Sequence, residues 1–212
     1  MASRYESEVY DCMNPTLELL ERTRDPLHRA ILKNYCRHVH LEGAAMFEEI
    51  TAPDMMADDP VYHITWGDSP FQVKGRQGVF DFYSGIGEIV LWNSGDKLAV
   101  ADWGIADEMW FHQMATGEEL RKLGHKVDRA DGLYLVHSRQ AFIWPYDENA
   151  RLKGEHLYED KSTLTIEEID PANYMTPARV REIHRECLAD LERRWGPRYW
   201  VYERASAEEL PA

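Results

Sequence analysis

Leu27, Ile31, Tyr35 and Val39 recur at four-residue steps behind Asp25-Pro26, and Gly43 follows them. Apolar side chains at that spacing share one face of an α-helix, so the pattern predicts an amphipathic helix over about 26–42. Asn14-Pro15 before Thr16-Leu17-Glu18-Leu19-Leu20 reads as a shorter helix with proline in its first turn, and Ala44 to Ile50 as another. From Pro60 the period shortens to two. Val61 to Trp66, the turn Gly67-Asp68-Ser69-Pro70, and Phe71 to Lys74 predict a β-hairpin. Arg76 to Tyr83 returns to helix, with Val79, Phe82 and Tyr83 on one side. The stretch 88–162 is mostly β: Glu88–Trp92 and Leu98–Ala115 flank a turn at Asn93-Ser94-Gly95-Asp96, and Leu133–Tyr146 and Leu152–Ser162 flank one at Asp147-Glu148-Asn149-Ala150. The polar connection 116–131, with a helical turn at Glu118 to Leu123, is a rim or lid, or a solvated loop. Thr176-Pro177 then opens a helix carrying Val180, Ile183, Cys187, Leu191 and Trp195, which Gly196-Pro197 stops; the acidic tail is expected to be loose.

Helices segregated against antiparallel strands define the α+β class. A strongly bent antiparallel sheet closed by N-terminal helices makes a cone with a cavity. The expected organisation is a helical lead-in at 1–24, one domain at 25–165, and a C-terminal helical extension and tail at 166–212.

Charge narrows the partners. Lys plus Arg total 24 against 38 Asp plus Glu in 212 residues, a formal charge of −14. That balance argues against a phosphate-neutralising groove for nucleic acid and against a polybasic grip on membrane. No apolar run approaches the roughly 20 residues of a spanning helix, and the N-terminus shows no signal-peptide pattern. Cys12, Cys36 and Cys187 are odd in number and scattered, which argues against a disulfide framework and favours a reducing, cytoplasmic location. Against this acidity stands a heavy aromatic load of seven Trp, eleven Tyr and six Phe. Trp66, Trp92, Trp103, Trp110 and Trp144 fall on expected strands and are candidates for the cavity wall.

Asp58-Asp59-Pro60-Val61-Tyr62-His63, Gly75-Arg76-Gln77-Gly78-Val79 with Phe82-Tyr83, and the closing hairpin from Tyr146 through Asp160 resemble the NTF2-like superfamily, in particular its SnoaL-like polyketide cyclase and scytalone dehydratase-like branch. The resemblance covers about 25–165. It implies an α+β cone that receives a small hydrophobic substrate, commonly as a homodimer or higher homo-oligomer. In catalytic relatives carboxylates, histidines and tyrosines move protons without cofactor or metal. The same cone hosts isomerases, dehydratases, epoxide hydrolases, cyclases and binders, so fold does not decide function.

A four-residue turn at Asp147–Ala150 sets His137 opposite Asp160, Arg139 opposite Tyr158 and Ala141 opposite His156, on one face. A carboxylate beside imidazole orients it and raises its basicity, as a general base requires. His137 and Asp160 also resemble the histidine and aspartate of SnoaL-like cyclases. In the alternative register Glu155 and Glu159 look inward instead. His112, between Trp110 and Met114 on alternate positions, is a second proton carrier or a half-buried structural histidine. Asp102 and Asp107 have opposite parity, so one of them faces the cavity; Asp107 is the weaker candidate if Trp110 points inward. Tyr35 is a phenolic donor or a core tyrosine of the Leu27–Ile31 stripe. Tyr62, His63, Trp66, Trp103, Trp110, Arg139 and Tyr158 are the substrate-binding candidates. His38 and His40, two apart on a helix, diverge, and no metal-binding motif, nucleophile elbow or phosphate loop appears. The sequence thus points to a cofactor-independent lyase or isomerase, with epoxide hydrolysis through Arg139 and a non-catalytic binder as rivals.

Overall fold

The computed structural model describes residues 3–67, 69–86 and 90–202. Asp68 of the first turn, Glu88 at the expected strand start, and the acidic tail lie outside these residues. Short helices α1 (Glu6–Asp11), which no sequence pattern announced, and α2 (Asn14–Arg22) lead into α3 (Pro26–Gly43). Asp25 caps α3 by accepting from His28 N–H, and its apolar stripe sinks Ile31 and Tyr35 out of solvent. After α4 (Phe47–Ile50) come β1 (Met56–Thr65), β2 (Phe71–Lys74) and α5 (Gly75–Ile86). The long strands are β3 (Val90–Ala101), β4 (Gly104–Thr116), β5 (Leu133–Pro145) and β6 (Leu152–Glu168), with α6 (Gly117–Lys122) between β4 and β5 and α7 (Pro177–Trp195) at the end.

The six strands form one sheet in the order β2-β1-β6-β5-β4-β3. This is the expected α+β architecture, a single curved open sheet with helices. The sheet is not wholly antiparallel, because β1 enters from the helices rather than from a hairpin and runs parallel to β6. A second correction concerns the Asn93–Asp96 turn. The ladder between β3 and β4 is irregular between Ser94 and Lys97 but continues to Ala101, so this segment is a bulge. Gly, Asn and Asp suit both devices, which is why the pattern misled. The chain reverses instead at Asp102-Trp103. Gly104 follows with φ +137°, where a Cβ would stand 1.9 Å from the Trp144 carbonyl oxygen, so only glycine fits.

Alternation along the strands decides which side chains meet the helices. Tyr62 and Ile64 on β1, Ile105, Asp107 and Met109 on β4, Gln140, Phe142 and Trp144 on β5, and Glu155 and Leu157 on β6 are all buried. They lie on the side of the helices, where Tyr35 of α3 packs on Trp144 and Tyr83 of α5 on Tyr62, and Asn34 of α3 ties three segments together. Its Nδ2 donates to the carbonyls of Met55 (3.1 Å) and Ala150 (3.0 Å), and Tyr146 OH donates to its Oδ1 (3.3 Å). At the β3 edge of the sheet Val90, Trp92, Met114 and Leu135 pack with Tyr5, Val9, Met175, Val180 and Ile183, a second core supplied by both chain ends. Among the described residues no helix is long and apolar enough to cross a membrane.

Candidate active site in the cone

The expected His137–Asp160 pair does not form. Tyr146 bridges Leu152 across a five-residue loop, Asp147–Arg151, and one extra β6 residue is absorbed before Ile143 meets His156. Each step shifts the register by one, so Arg139 faces Asp160, Ala141 faces Tyr158, and His137 faces Thr165 beyond a further irregularity. Two single shifts restore the original parity, and that parity belongs to the outer face. Asp160 is exposed there and accepts from Ser162, Arg139 pairs with Glu108, and Tyr158 is half exposed. Trp110 carries the Arg139 guanidinium and the His137 ring on this same face.

His112 does stand beside His137 on the neighbouring strand, but it stacks on Trp92 and bonds Ser94 Oγ at 2.8 Å. Burial lowers its pKa to about 4, so the ring is neutral near pH 7. His63 is also outward, against His156 and Gln72. Trp103 sits exposed in the turn. Tyr35, Tyr62 and Trp66 are the candidates that reach the interior. Trp66 and Tyr35 line the cavity, and Tyr62 joins its polar network.

The cavity measures about 100 Å³ and is walled by Phe47, Phe82, Phe111, Phe142, Trp144 and Trp66. Val180 and His184 of α7 close one side, so the C-terminal helix contributes to the site. The expected wall of strand tryptophans reduces to Trp66, Trp92 and Trp144.

Glu42 and Glu155 are acids in this apolar wall. Tyr83 OH donates to Glu155 Oε2 at 3.4 Å, meets His38 Nε2 at 3.0 Å and lies 3.3 Å from Tyr62 OH. Burial, and then the neighbouring Glu42 charge, holds the Glu155 carboxyl well above the usual carboxylate range. Burial raises Glu42 to about 7. His38 Nε2 also lies 3.8 Å from Glu42 Oε2, but burial depresses that imidazole to about 3, so this approach is not an ion pair at neutral pH. The group therefore sets two acids held above the usual carboxylate range, a neutral imidazole and two phenols beside one cavity.

A second pair flanks it. Tyr35 OH donates to Asp107 Oδ2 at 2.8 Å, while Asp107 Oδ1 is buried without a hydrogen-bond partner. Burial and then Asp96 raise Asp107 to about 7, and burial raises Asp96, held in the β3 bulge by Asn93, to about 6. Asp107, not Asp102, is thus the inward acid of its strand; Asp102 is exposed and bonded to His28.

Sequence reasoning did not single out His38, Glu42 or Tyr83, and placed Glu155 only in the alternative register. A signal existed: Tyr35, His38 and Glu42 lie three and four residues apart on α3, a polar row beside the apolar stripe. His40 diverges from His38 as expected, and the fold brings it to His184 on α7.

No protein-family model matches the chain, and no curated protein matches it. Solved structures resemble it weakly. One is a protein from Catenulispora acidiphila, 18% identical with TM-score 0.41, over 65% of this chain and 94% of that one. Another is a phenazine biosynthesis-related protein from Pseudomonas aeruginosa, 12% identical with TM-score 0.38, over 81% and 97%. Neither likeness bears on activity.

Proposed function

We propose that the chain is a small-molecule enzyme acting by general acid–base catalysis on a hydrophobic, oxygenated substrate held in the cone. The observation that carries this reading is the pair of carboxyls, Glu42 and Glu155, coupled through their charges inside one aromatic cavity. Environments that leave one acid protonated and its neighbour partly ionised divide the acid and base roles. In a dehydration Glu42 as carboxylate takes the proton from the carbon beside a carbonyl. Glu155 gives its proton to the departing hydroxyl, which leaves as water. Tyr83 positions Glu155 and links it to His38, and Tyr62 supports Tyr83. An isomerisation uses the same two transfers with the proton returned to another carbon.

The test is a panel of cyclic β-hydroxy ketones and enones incubated in D2O and followed by NMR. Wild-type protein should wash deuterium into the carbon beside the carbonyl or release water. Glu155→Gln should bind the same compounds but react about 100-fold slower or worse, the usual weight of a positioned acid. Compounds that bind without exchange or reaction would contradict the proposal and favour a carrier, a reading the largely aromatic lining supports. Epoxide hydrolysis loses its motivating residue, since Arg139 lies on the outer face with Glu108.

A further inference from the structure

Cys12 follows the last residue of α1, His40 lies in the last turn of α3, and His184 belongs to α7. All three are buried, and one donor atom from each lies within 4.8 Å of the other two. The imidazoles meet at their Nδ1 atoms, 3.0 Å apart. His184 Nε2 has no hydrogen-bond partner and lies against Gly43, so the ring directs only Nδ1 at the cluster. Gly43 makes this approach feasible: a Cβ there would stand 2.2 Å from the imidazole. Three lone-pair donors, from the end of α1, from α3 and from α7, therefore converge behind the cavity wall.

We propose that Cys12, His40 and His184 bind a divalent transition-metal ion of the zinc class. Two imidazole nitrogens and one sulfur form the borderline-soft donor set that zinc takes in tetrahedral sites. Nitrogens about 2.0 Å from one tetrahedral ion stand about 3.3 Å from each other, near the separation of these two rings. On binding, the Cys12 thiol releases its proton to solvent and its sulfur bonds the ion as thiolate; nothing is oxidised or reduced. The fourth position takes a water molecule. The ion would clamp α1, α3 and α7 together at the wall where His184 and Gly43 meet the cavity.

The experiment is a titration of the chelator-stripped full chain with Co2+ and, in competition, Zn2+, read by absorption and by thermal unfolding. Expected are one ion per chain, the intense visible bands of tetrahedral cobalt, a near-ultraviolet thiolate charge-transfer band, and a rise in Tm. Cys12→Ser should lose the charge-transfer band. Gly43→Ala, which keeps every ligand and suits a helix, should displace His184 and weaken binding about 10-fold or more, as changes around a metal's ligands do. No saturable binding below millimolar metal would overturn the proposal. So would a wild-type cobalt spectrum in both Cys12→Ser and His184→Gln. Because the readout is metal binding itself, its outcome is independent of whether the cone is catalytic.

Discussion

The chemistry assigned to Glu155 comes from its surroundings rather than from its type. An exposed glutamate is ionised at pH 7, whereas here aromatic walls withhold solvent and Glu42 adds a like charge. Replacing Glu42 by Gln removes that charge and should bring the Glu155 midpoint down in a carboxyl titration, while turnover falls about 100-fold or more because the base is gone. The outer-face residues make the complementary prediction. His137→Ala and Asp160→Asn should leave turnover within about twofold, since typical surface changes do little. A fall of 100-fold in either, measured on folded protein, would return the site to the outer face. The sequence carried the right residue types for acid–base work and assigned them to the wrong face. The reason is small: one extra residue in the Asp147–Arg151 loop and one on β6, neither visible in polarity. His38 and Glu42 were legible as a row on α3, but nothing local says that the row faces Tyr83 of α5.

Helices and strands were read with greater success, because period and capping are local. The stripe from Leu27 to Val39 and the Asp25 and Thr176 caps predicted α3 and α7 within a few residues. The reading failed where one composition serves two devices, as at the Asn93–Asp96 bulge. It was silent where the determinant is long-range, as with Asn34. That side chain makes three hydrogen bonds joining α3, the entry to β1 and the β5–β6 loop. Asn34→Leu strips partners from two buried carbonyls and a phenol, and should cost about 3 kcal/mol in urea unfolding. On α7, Ile183 is fully buried against the second core. Ile183→Ala should cost about 2–5 kcal/mol. A loss under about 0.5 kcal/mol would mean that α7 is not docked as described, because exposed changes cost that little.

Across the whole molecule, buried titratable groups make stability depend on pH in two opposing ways. Burial raises Glu42 and Asp107 to about 7 and Asp96 to about 6. The folded state then holds protons that the unfolded chain releases, so stability falls as pH rises from the unfolded carboxylate range through these values. Burial depresses His38 to about 3 and His112 and His184 to about 4, so the folded state refuses protons that the unfolded chain accepts below about pH 6.5. Their contribution rises with pH over that window and then stays constant. Above pH 6.5 the histidine contribution levels off and the acids dominate. Unfolding free energy should therefore decline between pH 6.5 and 8 by about 1 kcal/mol per carboxyl near 7. Glu42→Gln should remove its share of that decline, and an unchanged slope would show that Glu42 is ordinary.

Carboxyl 13C NMR of glutamate-labelled protein, titrated from pH 4 to 9 with Glu155→Gln and Glu42→Gln for assignment, bears on the acid pair without requiring a substrate. The cone described above requires Glu42 to titrate near 7, Glu155 to stay protonated through neutrality, and the Glu155 midpoint to fall once Glu42 is neutralised. Both carboxyls titrating near 4.5, each indifferent to the other, would contradict it.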